Sequence, residues 1–187
     1  MITVAFINQK GGSCKTTALL ALGKSCASAG WNVAVRDMDI QGSARRGVEF
    51  CEGLKMEKKG DEPELLLVDT PGNLKDRSIL NAIMAADRVI VPTSPSPMDL
   101  DSTRTATLYV DECRREVPKA LLFCRVSSGK ISKPESLNQF AADLKWPRLQ
   151  KTIPESEVLK RIGHEKIRLP RDLSAIAAEI LELKATK

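Results

Sequence analysis

Five short apolar runs punctuate the chain: Ile2-Thr3-Val4-Ala5-Phe6-Ile7, Val33-Ala34-Val35, Leu65-Leu66-Leu67-Val68, Arg88-Val89-Ile90-Val91 and Ala120-Leu121-Leu122-Phe123-Cys124. They are too short for buried helices and are continuous rather than alternating, the pattern of strands covered on both faces. Between them the apolar positions recur with helical spacing, over 16–29 with Gly30 as its stop and roughly over 73–86, 99–117 and 133–144. Strands alternating with helices predict an α/β fold in three layers, a mostly parallel central sheet with helices on both faces. Residues 171–187 read as an amphipathic helix that presents Leu173, Ile176, Ala177, Ile180 and Leu181 to the sheet. The polar stretch 43–63 reads as a surface excursion with a short helix, so residues 1–187 form a single domain.

Composition narrows the class. With 42% hydrophobic and 28% charged residues, the chain has an ordinary globular make-up, and its net charge of +5 is compatible with an acidic partner or nucleic acid. Five scattered cysteines, no CxxC and a single histidine argue against a zinc site or a disulfide framework, and the chain reads as cytosolic and reduced. No leader pattern opens the sequence and no window approaches 18 apolar residues.

Chemistry enters at the strand ends. After the first run comes Gln9-Lys10-Gly11-Gly12-Ser13-Cys14-Lys15-Thr16-Thr17, which departs from the G-x-x-x-x-G-K-[ST] phosphate loop at both glycines. Its context is nonetheless that of a nucleotide site. A strand, a glycine pair and Lys15-Thr16 opening a helix would gather backbone amides around a phosphate. In such a loop Lys15 reaches the β- and γ-phosphates and the Thr16 hydroxyl binds Mg²⁺. Asp69 ends a run of four apolar residues, and Asp37 and Asp39 end another strand two residues apart, so carboxylates that suit a metal ion stand at neighbouring strand tips. Open α/β sheets bind ligands at this end.

Together these segments resemble the deviant Walker A ATPases, that is the ParA-type partition proteins and their relative MinD within the P-loop NTPase fold. The family loop K-G-G-x-G-K-[ST]-[ST] is matched from Lys10 to Thr17 except at Cys14. Its D-x-D-P-Q-G motif is matched by Asp37-Met38-Asp39-Ile40-Gln41-Gly42, with Ile40 in the proline's place, and its Walker B motif by Val68-Asp69-Thr70-Pro71-Gly72. The turn Val91-Pro92-Thr93 and the stretch Ser94–Asp99 look most like the short ParF-like members, and Thr152-Ile153-Pro154 resembles the late adenine-side loop. The resemblance implies that Lys10, Gly11, Gly12, Ser13, Cys14, Lys15, Thr16, Thr17 and Pro154 bind ATP or ADP. It implies that Thr16, Asp37, Asp39 and Asp69 serve Mg²⁺, and that Lys10, Lys15 and Asp39 act in a slow ATP hydrolysis. Lys10 would be the signature lysine that crosses to the partner's nucleotide in an ATP-bound homodimer. Three readings of Cys14 stay open: a tolerated variant, a loop that has lost catalysis, or an engineered substitution.

The resemblance also implies an output. Arg148, Lys151, Lys160, Arg161, Lys166, Arg168 and Arg171 lie in the part of the chain where similar members bind DNA without sequence preference. A nucleoid-associated partition ATPase in the cytoplasm, working with a small centromere-binding adaptor and able to form filaments, is the function implied. A catalytically degenerate nucleotide-binding scaffold and a MinD-like positioning protein are the alternatives. The tail lacks the bulky aromatics of a membrane-seeking helix, so membrane binding is not expected.

Overall fold

The computed structural model describes residues 1–114, 116–127, 129, 133–170 and 173–184. Among them, strands β1 (Ile2–Phe6), β2 (Val33–Asp37), β3 (Leu54–Met56), β4 (Leu65–Asp69), β5 (Arg88–Thr93) and β6 (Lys119–Phe123) form one parallel sheet in the order β3-β2-β4-β1-β5-β6. The helices are α1 (Lys15–Ser28), α2 (Ser43–Val48), α3 (Arg77–Ala85), α4 (Pro97–Arg114), α5 (Pro134–Leu144), α6 (Glu157–Lys160) and α7 (Leu173–Glu182).

The strand residues sort by parity into two cores, because successive side chains leave opposite faces of a sheet. Val4, Phe6, Leu65, Leu67, Ile90 and Leu122 pack with α1, α2, α6 and α7 on one face. On the other, Ala5, Ile7, Leu66, Val68, Val91 and Phe123 pack with α3, α4 and α5. The apolar runs were unbroken for this reason: both faces are dry.

From β1 the chain passes through α1 to β2 on one side, and from β4 through α3 to β5 on the other. The direction of winding therefore reverses between the adjacent strands β1 and β4, and a crevice opens at their C-terminal ends.

One expectation needs correction. The stretch 43–63 is no mere surface excursion: Ala44, Val48 and Cys51 enter the core, and Leu54–Met56 add an edge strand to β2. Arg36 clamps that edge through two hydrogen bonds to Glu57, both of 2.5 Å. The tail helix is described over Leu173–Glu182 and docks Leu173, Ile176, Ala177 and Ile180 into the first core, with Leu181 half-buried against it. Beyond β6, residues 147–154 run alongside that strand, with Leu149 N donating to Leu121 O (2.9 Å) and Ile153 N to Phe123 O (2.8 Å).

Helices α1 and α2 approach closely at Gly47. A Cβ there would stand 2.3 Å from Leu20 Cδ1 and 3.2 Å from the Cα of Gly163. Gly47→Ala is expected to cost about 1–3 kcal/mol of stability through overpacking. Urea unfolding measures it, and an unchanged midpoint would contradict this packing.

Candidate nucleotide site

The loop after β1 is braced before it turns. Asn8, 1% exposed, donates from Nδ2 to the carbonyl of Pro92 at the end of β5 (2.7 Å) and accepts the Lys10 amide on Oδ1 (3.1 Å). Gly12 (φ 76°) and Cys14 (φ 67°) then adopt left-handed backbone conformations on either side of Ser13. Glycine takes that region freely, whereas a Cβ costs roughly 1–2 kcal/mol.

Cys14 caps α1 without a side-chain hydrogen bond, and the first helical bond runs from Ala18 N to Cys14 O (2.8 Å). The amides of the first turn therefore have no helical acceptor. They border a cavity of about 230 Å³ formed by residues 11–17 with Asp39, Gly72 and Arg125.

The two lysines of the loop behave differently. Lys15 is buried and curls back, donating from Nζ to the carbonyls of Asn8 (3.1 Å) and Lys10 (3.3 Å). Burial pushes its pKa down, against the charges of Asp69 and Asp39. The Lys10 side chain is 44% exposed and forms an ion pair with Asp99, whose other oxygen accepts the Ser94 hydroxyl. Burial raises the Asp99 pKa, but the bonds from Lys10 and Ser94 and the charges of Lys10 and Arg125 hold it below the usual range.

Asp69 stands at the tip of β4 and is 1% exposed. The Thr16 hydroxyl donates to Oδ2 (2.6 Å), while Oδ1 is buried with no hydrogen-bond partner. Burial pushes this carboxyl up to about 6; the Thr16 bond opposes the shift and the charges of Asp37 and Asp39 reinforce it. An orphaned carboxylate oxygen beside a hydroxyl suits a hard divalent ion that keeps several of its waters, so the residues fit Mg²⁺.

The other two aspartates are placed differently. Asp39 borders the cavity and accepts the Gln41 amide (3.0 Å). Asp37, in register with Asp69, accepts the amides of Asp39 (3.0 Å) and Arg45 (2.8 Å), which makes it a turn-former beside the cleft. Among the described residues no three carboxylate, imidazole or thiol groups converge on one point.

A second cavity of about 190 Å³ adjoins the first and is bordered by Ile153, Pro154 and Leu159. Cys14, Thr17 and Arg125 line both. Arg125 (φ 55°) donates from Nη2 to the Gly12 carbonyl (2.6 Å) and so joins the tip of β6 to the loop. A polar cradle leading into a partly apolar slot matches the two ends of a nucleotide. The pKa of the Cys14 thiol is lowered to about 7, first by the neighbouring Cys124 side chain and further by Arg125, against the effect of burial.

The basic residues of the last forty positions differ in their partners. Arg148 is tied to Asn138 (2.7 Å) and the Leu149 carbonyl (2.8 Å), Lys160 pairs with Glu157 (2.6 Å) and Arg161 with Glu165 (2.9 Å). Lys151 is exposed, and its amide donates to Glu179 (3.2 Å). Lys166 and Arg168 do come together, with Lys24 of α1, around a hollow of about 620 Å³. Arg171 lies outside the described residues.

Sequence reading missed Asn8, Asp99 and Arg125 as parts of the site. Their partners lie 84, 89 and 113 residues away in the chain, and no local motif marks them. The one available signal was position, since Asn8 and Arg125 directly follow apolar runs that end at the cleft.

The buried Asp69 yields a stability prediction. Its folded pKa lies above the ordinary carboxylate value, so its contribution to stability falls as pH rises from about 4 through about 6. In nucleotide-free, Mg²⁺-free protein, Asp69→Asn should raise the melting temperature at pH 7.5 by about 3–6 °C, with the gain shrinking by pH 5. Scanning calorimetry at both pH values checks this, and a loss at pH 7.5 would contradict it.

The chain is similar to several known proteins. The family model described as the CobQ/CobB/MinD/ParA nucleotide binding domain matches residues 4–169. Protein virC1 of Rhizobium rhizogenes is 30% identical over 158 residues, covering 71% of this chain and 68% of that protein. The maintenance of carboxysome distribution protein A of Gloeobacter kilaueensis is 32% identical over 182 residues, covering 89% and 80%. A plasmid partition protein of Borrelia burgdorferi, solved with bound AMPPNP, superposes with a TM-score of 0.73 at 20% identity over 97% of each chain, a likeness of fold. With its phosphate-type loop at the mouth of a parallel α/β sheet, the chain belongs to the CobQ/CobB/MinD/ParA nucleotide-binding family.

Proposed function

We propose that this protein is a ParA-type ATPase that positions a plasmid or chromosome, dimerises on Mg²⁺-ATP, holds DNA without sequence preference in that state, and hydrolyses ATP slowly under a small adaptor's stimulation. The observation that carries this reading is Lys10. It stands on the open lip of the loop, about half exposed, and its charge is met within the subunit by Asp99 at the start of α4. Lys15 already serves the loop interior, so a second lysine facing outward suits phosphate bound across a subunit boundary. A relative named for carboxysome distribution and a fold neighbour named for plasmid partition agree with a cargo-positioning role.

In this reading the amides of residues 11–17 and Lys15 hold the phosphates, and the slot at Pro154 takes the base. Thr16 and Asp69 would hold Mg²⁺, with Asp39 nearby at the cavity. The ion would neutralise charge building on the phosphate oxygens. Asp39 orients the attacking water. Among the described residues no glutamate lines this cradle, in keeping with slow turnover.

Two predictions follow the two surfaces. Lys10→Ala should abolish ATP-dependent dimerisation, whereas Asp99→Asn, which frees Lys10, should lower the ATP concentration needed for it. Light scattering over an ATP titration checks both, and equal dimerisation of wild type and Lys10→Ala would remove Lys10 from this role. For DNA, the double substitution Lys166→Glu with Arg168→Glu should abolish ATP-dependent binding and leave nucleotide affinity unchanged, since these side chains sit at the far end of α1 from the loop. Fluorescence anisotropy at two salt concentrations reads this. Binding by the double variant, or binding indifferent to nucleotide, would defeat the assignment and favour a nucleotide-dependent scaffold without DNA.

A further inference from the structure

Helices α3 and α4 leave an apolar face uncovered. Among the described residues six large apolar side chains are exposed, and three of them, Leu80 (40%), Met84 (55%) and Leu108 (56%), belong to these two helices. On α3 the residues Ile79, Ala82 and Ile83 face the core, so Leu80 and Met84, four apart, form a second apolar stripe outside. Between the helices lies a hollow of about 650 Å³, lined by Leu80 of α3 and by Leu108, Tyr109 and Glu112 of α4. Apolar side chains clustered on one exposed face, rather than scattered singly, call for a partner.

The hollow carries opposite charges at its two ends. Arg114 Nη1 donates to the carbonyls of Ala86 (2.7 Å) and Met84 (3.2 Å), which pins the end of α4 to the end of α3. Lys75 and Arg77 border the hollow where α3 begins, whereas Glu112 borders it two residues before Arg114. Cations and carboxylate therefore stand about 12 Å apart, the rise of a nine-residue helix. Among the described residues Lys75, Arg77 and Glu112 enter no ion pair. Asp76, between the two cations, is engaged in capping α3 by accepting the Ser78 amide (2.8 Å).

We propose that this face is an interaction surface for a second copy of this chain. An apolar strip with opposite charges at its ends is its own complement after half a turn about an axis in the contact plane. The rotation lays Leu80 and Leu108 on the partner's strip and sets Arg77 opposite the partner's Glu112, once at each end. An unrelated protein would have to supply a matching strip and charges, whereas a second copy already carries them. The pairing needs no nucleotide and does not rest on the function proposed above. ATP-dependent association through Lys10 is a further step made by other residues.

Sedimentation equilibrium of the full chain, free of nucleotide and Mg²⁺, measures the pairing. The wild type should form dimers at or below about 100 μM. Arg77→Glu and Glu112→Arg should each raise the dimer Kd by about tenfold or more, because each places like charges face to face. The variant with both reversals should return to within about threefold of wild type, a recovery that a misfolded chain could not give. Leu108→Asp, checked for folding by circular dichroism, should be monomeric.

Lys10→Ala should dimerise as the wild type does in this assay. Loss of the ATP-dependent step alone would therefore count against the proposed function and not against this surface. A wild type that stays monomeric throughout overturns the proposal. So does a dimer indifferent to Leu108→Asp and to both charge reversals, which would place the contact elsewhere on the molecule. Weakened single variants without recovery in the double variant would overturn the two-fold pairing of Arg77 with Glu112.

Discussion

Burial of the Asp69 carboxylate at the tip of β4 is the constraint around which this molecule is arranged. A carboxylate removed from water requires partners, and the fold supplies only the Thr16 hydroxyl to one of its oxygens. A folded chain that needed nothing but stability would place a neutral residue there. The strand order delivers Asp69 beside β1, the loop brings Thr16 over it, and Thr70 locks the junction by donating to the Phe6 carbonyl (2.7 Å). The same reversal of winding that opens the crevice thus puts an unsatisfied anion at its floor.

Around that floor, opposing charges keep the loop in order. Lys15 is turned onto the backbone carbonyls that precede it, and Lys10 is held by Asp99. Each arrangement ties a cation to a group within the same subunit, and each is reversible because the bonds are polar and lie at the cleft. A phosphate-bearing ligand would compete for those cations directly, and its binding would then be coupled to local rearrangement through electrostatics.

Legibility in the sequence followed the range of the interaction. Strands β1, β4, β5 and β6 were readable because burial on both faces makes each an unbroken apolar run, and the adjoining residues Lys15, Thr16 and Asp69 were readable as motifs. Strand β3 was not, since Leu54-Lys55-Met56 spans three residues at a half-exposed edge and offers no period to detect. The four-residue helix α6 was missed for the same reason. Asp99 and Arg125 were invisible as parts of the site because their roles depend on folding distant strands side by side. Of the basic residues, the cluster was readable but not the placement: Lys160 and Arg161 are tied in local ion pairs, whereas Lys166 and Arg168 border a hollow with Lys24.

The segment 147–154 has a consequence for how copies of this chain meet. A parallel sheet has two open flanks, each a row of backbone groups that invites a neighbour's strand. Here one flank is roofed by this segment, whose amides and carbonyls pair with Leu121, Phe123 and Val126. The other ends in a three-residue strand with Lys55 pointing outward and the Arg36–Glu57 clamp beside it. Continuous growth by strand addition finds no template at either border. Any assembly of this chain would therefore have to join whole folded subunits by their faces, and its joints could be dissolved without unfolding any of them.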